Sequence, residues 1–119
     1  MAFRFREFHV YNNARKFISE IYKVTGQFPS EEKFGLITQL RRAAISIALN
    51  IAEGSDRGSD KEFKRFVNIA IGSVNEVVAA LDVALDNSFI NEEESMRLTV
   101  IAEQIVKQLS SLSKKLKDS

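Results

Sequence analysis

The sequence has no cysteine, one proline, five glycines and one histidine in 119 residues. The absence of cysteine excludes disulfides, thiolate metal sites and cysteine nucleophiles, and leaves the redox compartment open. So few proline and glycine positions exclude collagen-like and linker-rich chains and argue against a loop-rich all-β domain, which needs frequent turn residues. A single histidine, His9, removes the paired Glu-x-x-His motifs on which a di-iron centre in a helical bundle depends. Long uncharged runs are also missing. The stretch Ala43 to Ala52 is far short of the roughly 20 residues that span a bilayer, so it is expected to be a buried helical segment. The opening MAFRFREFHV interleaves aromatics with Arg4, Arg6 and Glu7, unlike the apolar core of a secretory signal, and the expectation is a cytoplasmic protein with no membrane partner.

Apolar residues make up 45% and charged residues 28%, enough to bury one core; one domain over residues 1–119 is expected. The apolar pattern is helical throughout. In a first helix, from about Phe5 to Thr25, Val10, Ala14, Phe17, Ile21 and Val24 recur at steps of four and three, with Tyr11, Ile18 and Tyr22 widening the stripe. Gly26 and Pro29 end it. Ser30 is placed to cap a second helix carrying Ile37, Leu40, Ala44, Ile47 and Ile51, with Gly54 as a left-handed residue at its end. Ser59 and Glu62 form the capping-box pattern of a third helix, along which Phe63, Val67, Ala70, Val74, Val77, Leu81, Ala84 and Ser88 make a heptad seam. A second row, Ile71, Val78 and Leu85, widens that apolar face beyond one seam. Asn91 caps a fourth helix with Leu98, Ala102, Ile105, Leu109, Leu112 and Leu116 on its stripe. The fold class is therefore all-α, an antiparallel up-down-up-down four-helix bundle.

No arrangement of nucleophile, base and orienting group emerges from the spacing, so no catalytic, cofactor-binding or metal-ligating residue and no small-molecule substrate is assigned, and the chain is not expected to be an enzyme. His9 reads as a surface or partly packed residue, and Glu92 to Glu94 as first-turn carboxylates complementing the helix dipole. The second helix carries a polar row, Arg42, Ser46, Asn50 and Glu53. If the second and third helices form a hairpin centred near Arg57, this row faces Asn68, Lys64, Arg65 and Glu76. The expectation is a structural ladder in which Arg42 pairs with Glu76 and Ser46 approaches Asn68, fixing register rather than holding a ligand. Gly72, costly in a helix interior, is expected to admit a close neighbour, as are Ala43, Ala44, Ala48 and Ala52.

Seventeen basic and sixteen acidic residues leave a charge of +1, but their distribution is uneven. One end of an up-down-up-down bundle collects nine bases, Arg4, Arg6, Arg57, Lys61, Lys64, Arg65, Lys114, Lys115 and Lys117, against six acids, Glu7, Glu53, Asp56, Asp60, Glu62 and Asp118. The other collects seven acids, Glu31, Glu32, Asp82, Asp86 and Glu92 to Glu94, against Lys23, Lys33 and Arg97. The nine bases are candidate contacts for a nucleic-acid backbone, with Phe3, Phe5 and Phe8 beside them either to stack bases or to pack the bundle end. Surplus apolar rows on the third helix, and Ile45 and Leu49 on the second, point to contacts between copies.

The segments FPSEEKFGLITQLRRAAISIALNIAEG, Phe28 to Gly54, and SDKEFKRFVNIAIGSVNE, Ser59 to Glu76, resemble the four helix bundle proteins of the 23S rRNA intervening-sequence protein family. A looser similarity extends over nearly the whole chain; Ala48 stands where that family usually has proline and Tyr11 where tryptophan is common. The resemblance implies bacterial, ribosomal-protein-like bundles forming homopentameric rings, with genes sometimes located inside intervening sequences of large-subunit ribosomal RNA. Similar members bind a reverse transcriptase and RNA in diversity-generating retroelements. The combined expectation is a non-enzymatic homopentamer that binds RNA or a nucleic-acid-handling protein through its basic end. The alternative is a protein-interaction adaptor with no nucleic-acid contact.

Overall fold

The computed structural model describes residues 2–117, which form four α-helices: α1 (His9–Thr25), α2 (Leu36–Ser55), α3 (Asp60–Asp86) and α4 (Glu92–Lys115). Among these residues α1 packs on α2 and α4, and α3 packs on α2 and α4, so α1 and α3 lie on opposite corners. Residue pairs across each interface run in opposite senses. Arg4 meets Ser55 while Arg41 meets Thr25, Ser46 meets Ser73 while Gly54 meets Phe63, and Asn13 meets Gln108 while Glu20 meets Arg97. The helices alternate up and down in a rod of 46 × 22 × 19 Å.

The stripes that define the helices are the core. Val10, Ala14, Phe17, Ile21 and Val24 of α1, Leu40, Ala44, Ile47 and Ile51 of α2, and Leu98, Ala102, Ile105 and Leu109 of α4 are all buried. They close around the α3 seam from Phe63 to Ala84, each large side chain contributing about 1.5–3 kcal/mol by leaving water. By length and composition α3 is apolar enough to cross a bilayer, and its seam from Phe63 to Ala84 packs against its neighbours in the bundle. The second α3 row, Ile71, Val78 and Leu85, is partly buried and packs against the core.

Several expected boundaries move. The chain before His9 forms a 3₁₀ turn, Arg4–Glu7, so α1 begins later than Phe5. Ser30 does not cap α2: it opens a 3₁₀ turn, Ser30–Glu32, and α2 starts at Leu36, whose N–H donates to the Glu32 carboxylate at 3.2 Å. The longer connection is anchored by buried Phe28, whose ring lies 5.8 Å from that of Phe89. Ser59 and Asn91 cap as expected, accepting from the N–H groups of Glu62 at 3.2 Å and Glu94 at 2.8 Å. Ser88 belongs to no helix: α3 stops at Asp86 and Ser88 takes a left-handed φ of 61°.

Two glycines depart from their expected roles. Gly54 is inside α2, not a left-handed terminus, and a Cβ there would lie 2.6 Å from Cβ of Phe66 and 2.9 Å from Cδ1 of Phe63. There α3 packs directly against the α2 backbone. Gly72, expected to admit a close neighbour, has nothing within 4 Å of its Cβ position.

Candidate nucleic-acid interface

The hairpin of α2 and α3 fixes which polar groups meet. Ser46 accepts from the Ser73 hydroxyl at 2.9 Å, and the midpoint of this pair falls between Ser59 and Asp60 rather than at Arg57. That displacement corrects the expected ladder. Asn68 is turned to solvent, Asn50 donates to the Ser46 carbonyl and hydroxyl within its own helix at 2.8 and 2.9 Å, and Glu53 pairs with Arg57. Glu76 accepts from the Gln39 amide, and exposed Arg42 makes no ion pair with it. Two side-chain rungs cross between the helices, Gln39–Glu76 and Ser46–Ser73. A third tie, between α1 and α2, carried no periodic signal. Buried Thr25 donates to the Ile21 carbonyl at 2.7 Å and accepts from Nε of Arg41 at 2.9 Å, while that guanidinium lies 4.4 Å from the Tyr22 ring centroid.

The basic end is built from aromatic rings carrying guanidinium groups. Arg4, on the N-terminal 3₁₀ turn, donates from Nε to the Ser55 carbonyl at 3.0 Å, satisfying one of the open carbonyls at the end of α2. Its guanidinium lies 5.9 Å from the ring centroid of Phe8 and 5.6 Å from that of Phe63, and these rings are 5.9 Å apart. Arg6 sits 5.1 Å from the Phe3 centroid. Arg57 and Arg65 approach the same ring, Phe66, at 4.9 and 4.6 Å. Phe66 is buried beside Gly54, so the packing of α3 on α2 also places the ring that two surface cations share.

Part of this charge is compensated. Arg57 pairs with Glu53, and Arg65 pairs with Glu62 at 3.1 Å; the Arg65 hydrogen bond holds the exposed Glu62 carboxyl below its ordinary range. The Lys117 N–H donates to the Asp60 carboxylate at 2.9 Å, joining the end of α4 to the start of α3. Lys61, Lys114, Lys115 and Lys117 are exposed and Lys64 is half-buried; Asp118 lies outside the described residues. Phe5 is occupied structurally, its centroid 4.9 Å from that of Tyr11, whereas Phe3 is 52% exposed.

Two open clefts lie at this end. One, of about 650 Å³, runs between the N-terminal turn and the last turns of α2 and is lined by Phe3, Arg4, Leu49, Asp56 and Arg57 among others. The second, of about 410 Å³, holds exposed His9 and Glu7 opposite Lys107 and Lys115. Leu49, expected at a contact between copies, and Asp56 line the first cleft, whose other wall is the N-terminal turn that helical periodicity does not place. Among the described residues no three His, Cys, Asp or Glu side chains gather as a metal-ligand set. None of the described buried side-chain nitrogens or oxygens lacks a hydrogen-bond partner.

The opposite end is acidic and braced. Arg97 of α4 reaches Glu94 and Glu20 at 2.6 Å each, and its hydrogen bond holds the Glu20 carboxyl below the ordinary range. Phe34, in the connection before α2, is 90% exposed there.

Residues 6–111 match the family model described as 23S rRNA-intervening sequence protein. No curated protein matches the sequence. Among solved structures the chain is similar to a protein of unknown function of the S23 ribosomal protein family from Bacteroides thetaiotaomicron, with a TM-score of 0.81 and 26% identity. The similarity covers 88% of this chain and 98% of that one.

Proposed function

The chain belongs to the 23S rRNA-intervening sequence protein family, and from that premise we propose that it is a non-enzymatic, cytoplasmic homo-oligomer, pentameric by family resemblance, that binds RNA or an RNA-containing partner through its basic end. The observation that carries the binding is the convergence of Arg4, Arg6, Arg57 and Arg65 on the rings of Phe63, Phe3 and Phe66. Such stacking holds planar guanidinium groups in place, where they can meet phosphates with less entropy loss than free side chains. Self-assembly is supported by an exposed α3 stripe. Ile69 and Val83 remain 41% and 48% exposed, with open Gly72 and exposed Ala79 between them. Large apolar residues separated by small ones suit the approach of another helix.

RNA binding measured against salt concentration tests the proposal. The wild-type protein binds with a steep salt dependence. Replacing Arg57, Lys61, Lys64 and Arg65 together by glutamine reduces the slope of log affinity against log salt by up to about 3 for single strands, at roughly 0.7 per phosphate contact. Unchanged affinity and slope in that variant overturn the assignment to this end. One observation favours the adaptor reading: Phe34 is 90% exposed, with the Lys33 ammonium 5.6 Å from its ring centroid, an apolar anchor presented to another polypeptide. Phe34→Ala abolishes partner capture under that reading and leaves RNA affinity unchanged under the first.

A further inference from the structure

We infer that the cleft between the N-terminal 3₁₀ turn and the end of α2 receives an unpaired guanine of an RNA strand, an inference that rests on the RNA reading above. At about 650 Å³ the cleft falls within the range of roughly 300–1,000 Å³ usual for small-molecule and nucleotide sites. Its wall supplies the two kinds of group that an unstacked base requires. Phe3 is 52% exposed and Leu49 is 62% exposed, although both are large apolar side chains at the mouth of one cleft. A base inserted between them removes that surface from water, and stacking on an aromatic ring is the usual way a single strand is held.

The polar side of the cleft selects the base. Glu53 is committed to Arg57, but the Asp56 carboxylate lines the cleft with no ion pair or side-chain hydrogen bond engaging it among the described residues. An ionised carboxylate only accepts, and its two oxygens match two parallel donors. Guanine presents such a pair, N1–H and the N2 amino group; uracil offers one imino donor, and adenine and cytosine one amino group each. In a duplex the guanine donors are already used in pairing. Arg4 and Arg57 flank the same cleft, where a cation can take the adjoining phosphate and offset its repulsion from Asp56.

The test is fluorescence anisotropy with three labelled probes: hexauridylate, the same strand with guanine at the two central positions, and that strand annealed to its complement. The guanine strand binds about tenfold more tightly than hexauridylate, and annealing removes the advantage. Leu49→Ala and Asp56→Asn, both exposed and checked for unchanged melting temperature, abolish the advantage while leaving salt-dependent hexauridylate binding. Equal binding of all three probes, or a guanine advantage that survives Asp56→Asn, overturns the cleft assignment and leaves the RNA reading standing. Failure of every probe to bind overturns both.

Discussion

A methyl group added at Gly54 meets carbon atoms of Phe66 and Phe63 at 2.6 and 2.9 Å, the nearer being the Phe66 Cβ, which no rotamer change moves away, and both side chains are buried. Gly54→Ala is therefore expected to cost about 1–3 kcal/mol in urea or guanidinium unfolding, the usual penalty for overpacking a closed contact. Ser88 gives the opposite expectation. Its φ of 61° permits the bonds that finish α3, Phe89 N–H to the Ala84 carbonyl at 2.9 Å and Ser88 N–H to the Leu85 carbonyl at 3.0 Å, an end that favours glycine. Ser88→Gly relieves backbone strain but gives the unfolded chain more freedom. Its net effect is a gain of up to about 1 kcal/mol, seen as a higher denaturant midpoint at unchanged m. Both roles were misassigned in the sequence for one reason. A glycine near a helix end and a serine continuing a heptad are common local patterns; Gly54 is decided instead by Phe63 and Phe66 of the next helix, and Ser88 by the bonds that close α3 before it.

At the scale of elements, the stripes were legible because burial follows the 3.6-residue period whatever the partner helix is. Boundaries and register were not. The start of α2 depends on where Phe28 and Phe89 meet, and the hairpin axis depends on how closely Gly54 lets α3 approach. A shift of about one helical turn on α3 was enough to send Asn68 to solvent and bring Ser73 to Ser46. The bridge from Arg97 to Glu20 joins α1 and α4, which are not neighbours in sequence. Glu20 has its carboxyl pKa lowered in the fold, chiefly by the Arg97 hydrogen bond, so the bridge stabilises the bundle above the unfolded glutamate pKa of about 4.3. That contribution disappears as pH falls through the lower folded value, where both states carry the proton. Melting of wild type and Glu20→Gln is therefore expected to differ at pH 7 and to converge toward pH 3. Added salt narrows the difference at neutral pH, as for any partly exposed pair.

For the molecule as a whole, internal packing and surface composition place different demands on α3. Its seam is complete within the bundle, and nothing in the monomer requires a glycine at position 72, where it weakens the helix by about 1 kcal/mol relative to alanine. The surrounding exposed positions, Ile69, Ala79 and Val83, repeat along the same face, so a glycine there has a reason if a second copy packs across it. The single-chain charge of +1 also leaves little long-range repulsion between copies. Gly72→Leu separates the two demands. Open space inside the monomer lets the leucine in without a clash, and better helix propensity raises or preserves the stability of the isolated chain. At an intermolecular helix crossing the same side chain fills the gap that the second copy needs. Light scattering is expected to give a multiple of 13.4 kDa for the wild type and a mass falling toward the monomer for Gly72→Leu, with helical content by circular dichroism unchanged. A variant that keeps the wild-type mass moves the contact off this face of α3, and a wild type already at 13.4 kDa removes self-assembly from the proposed function.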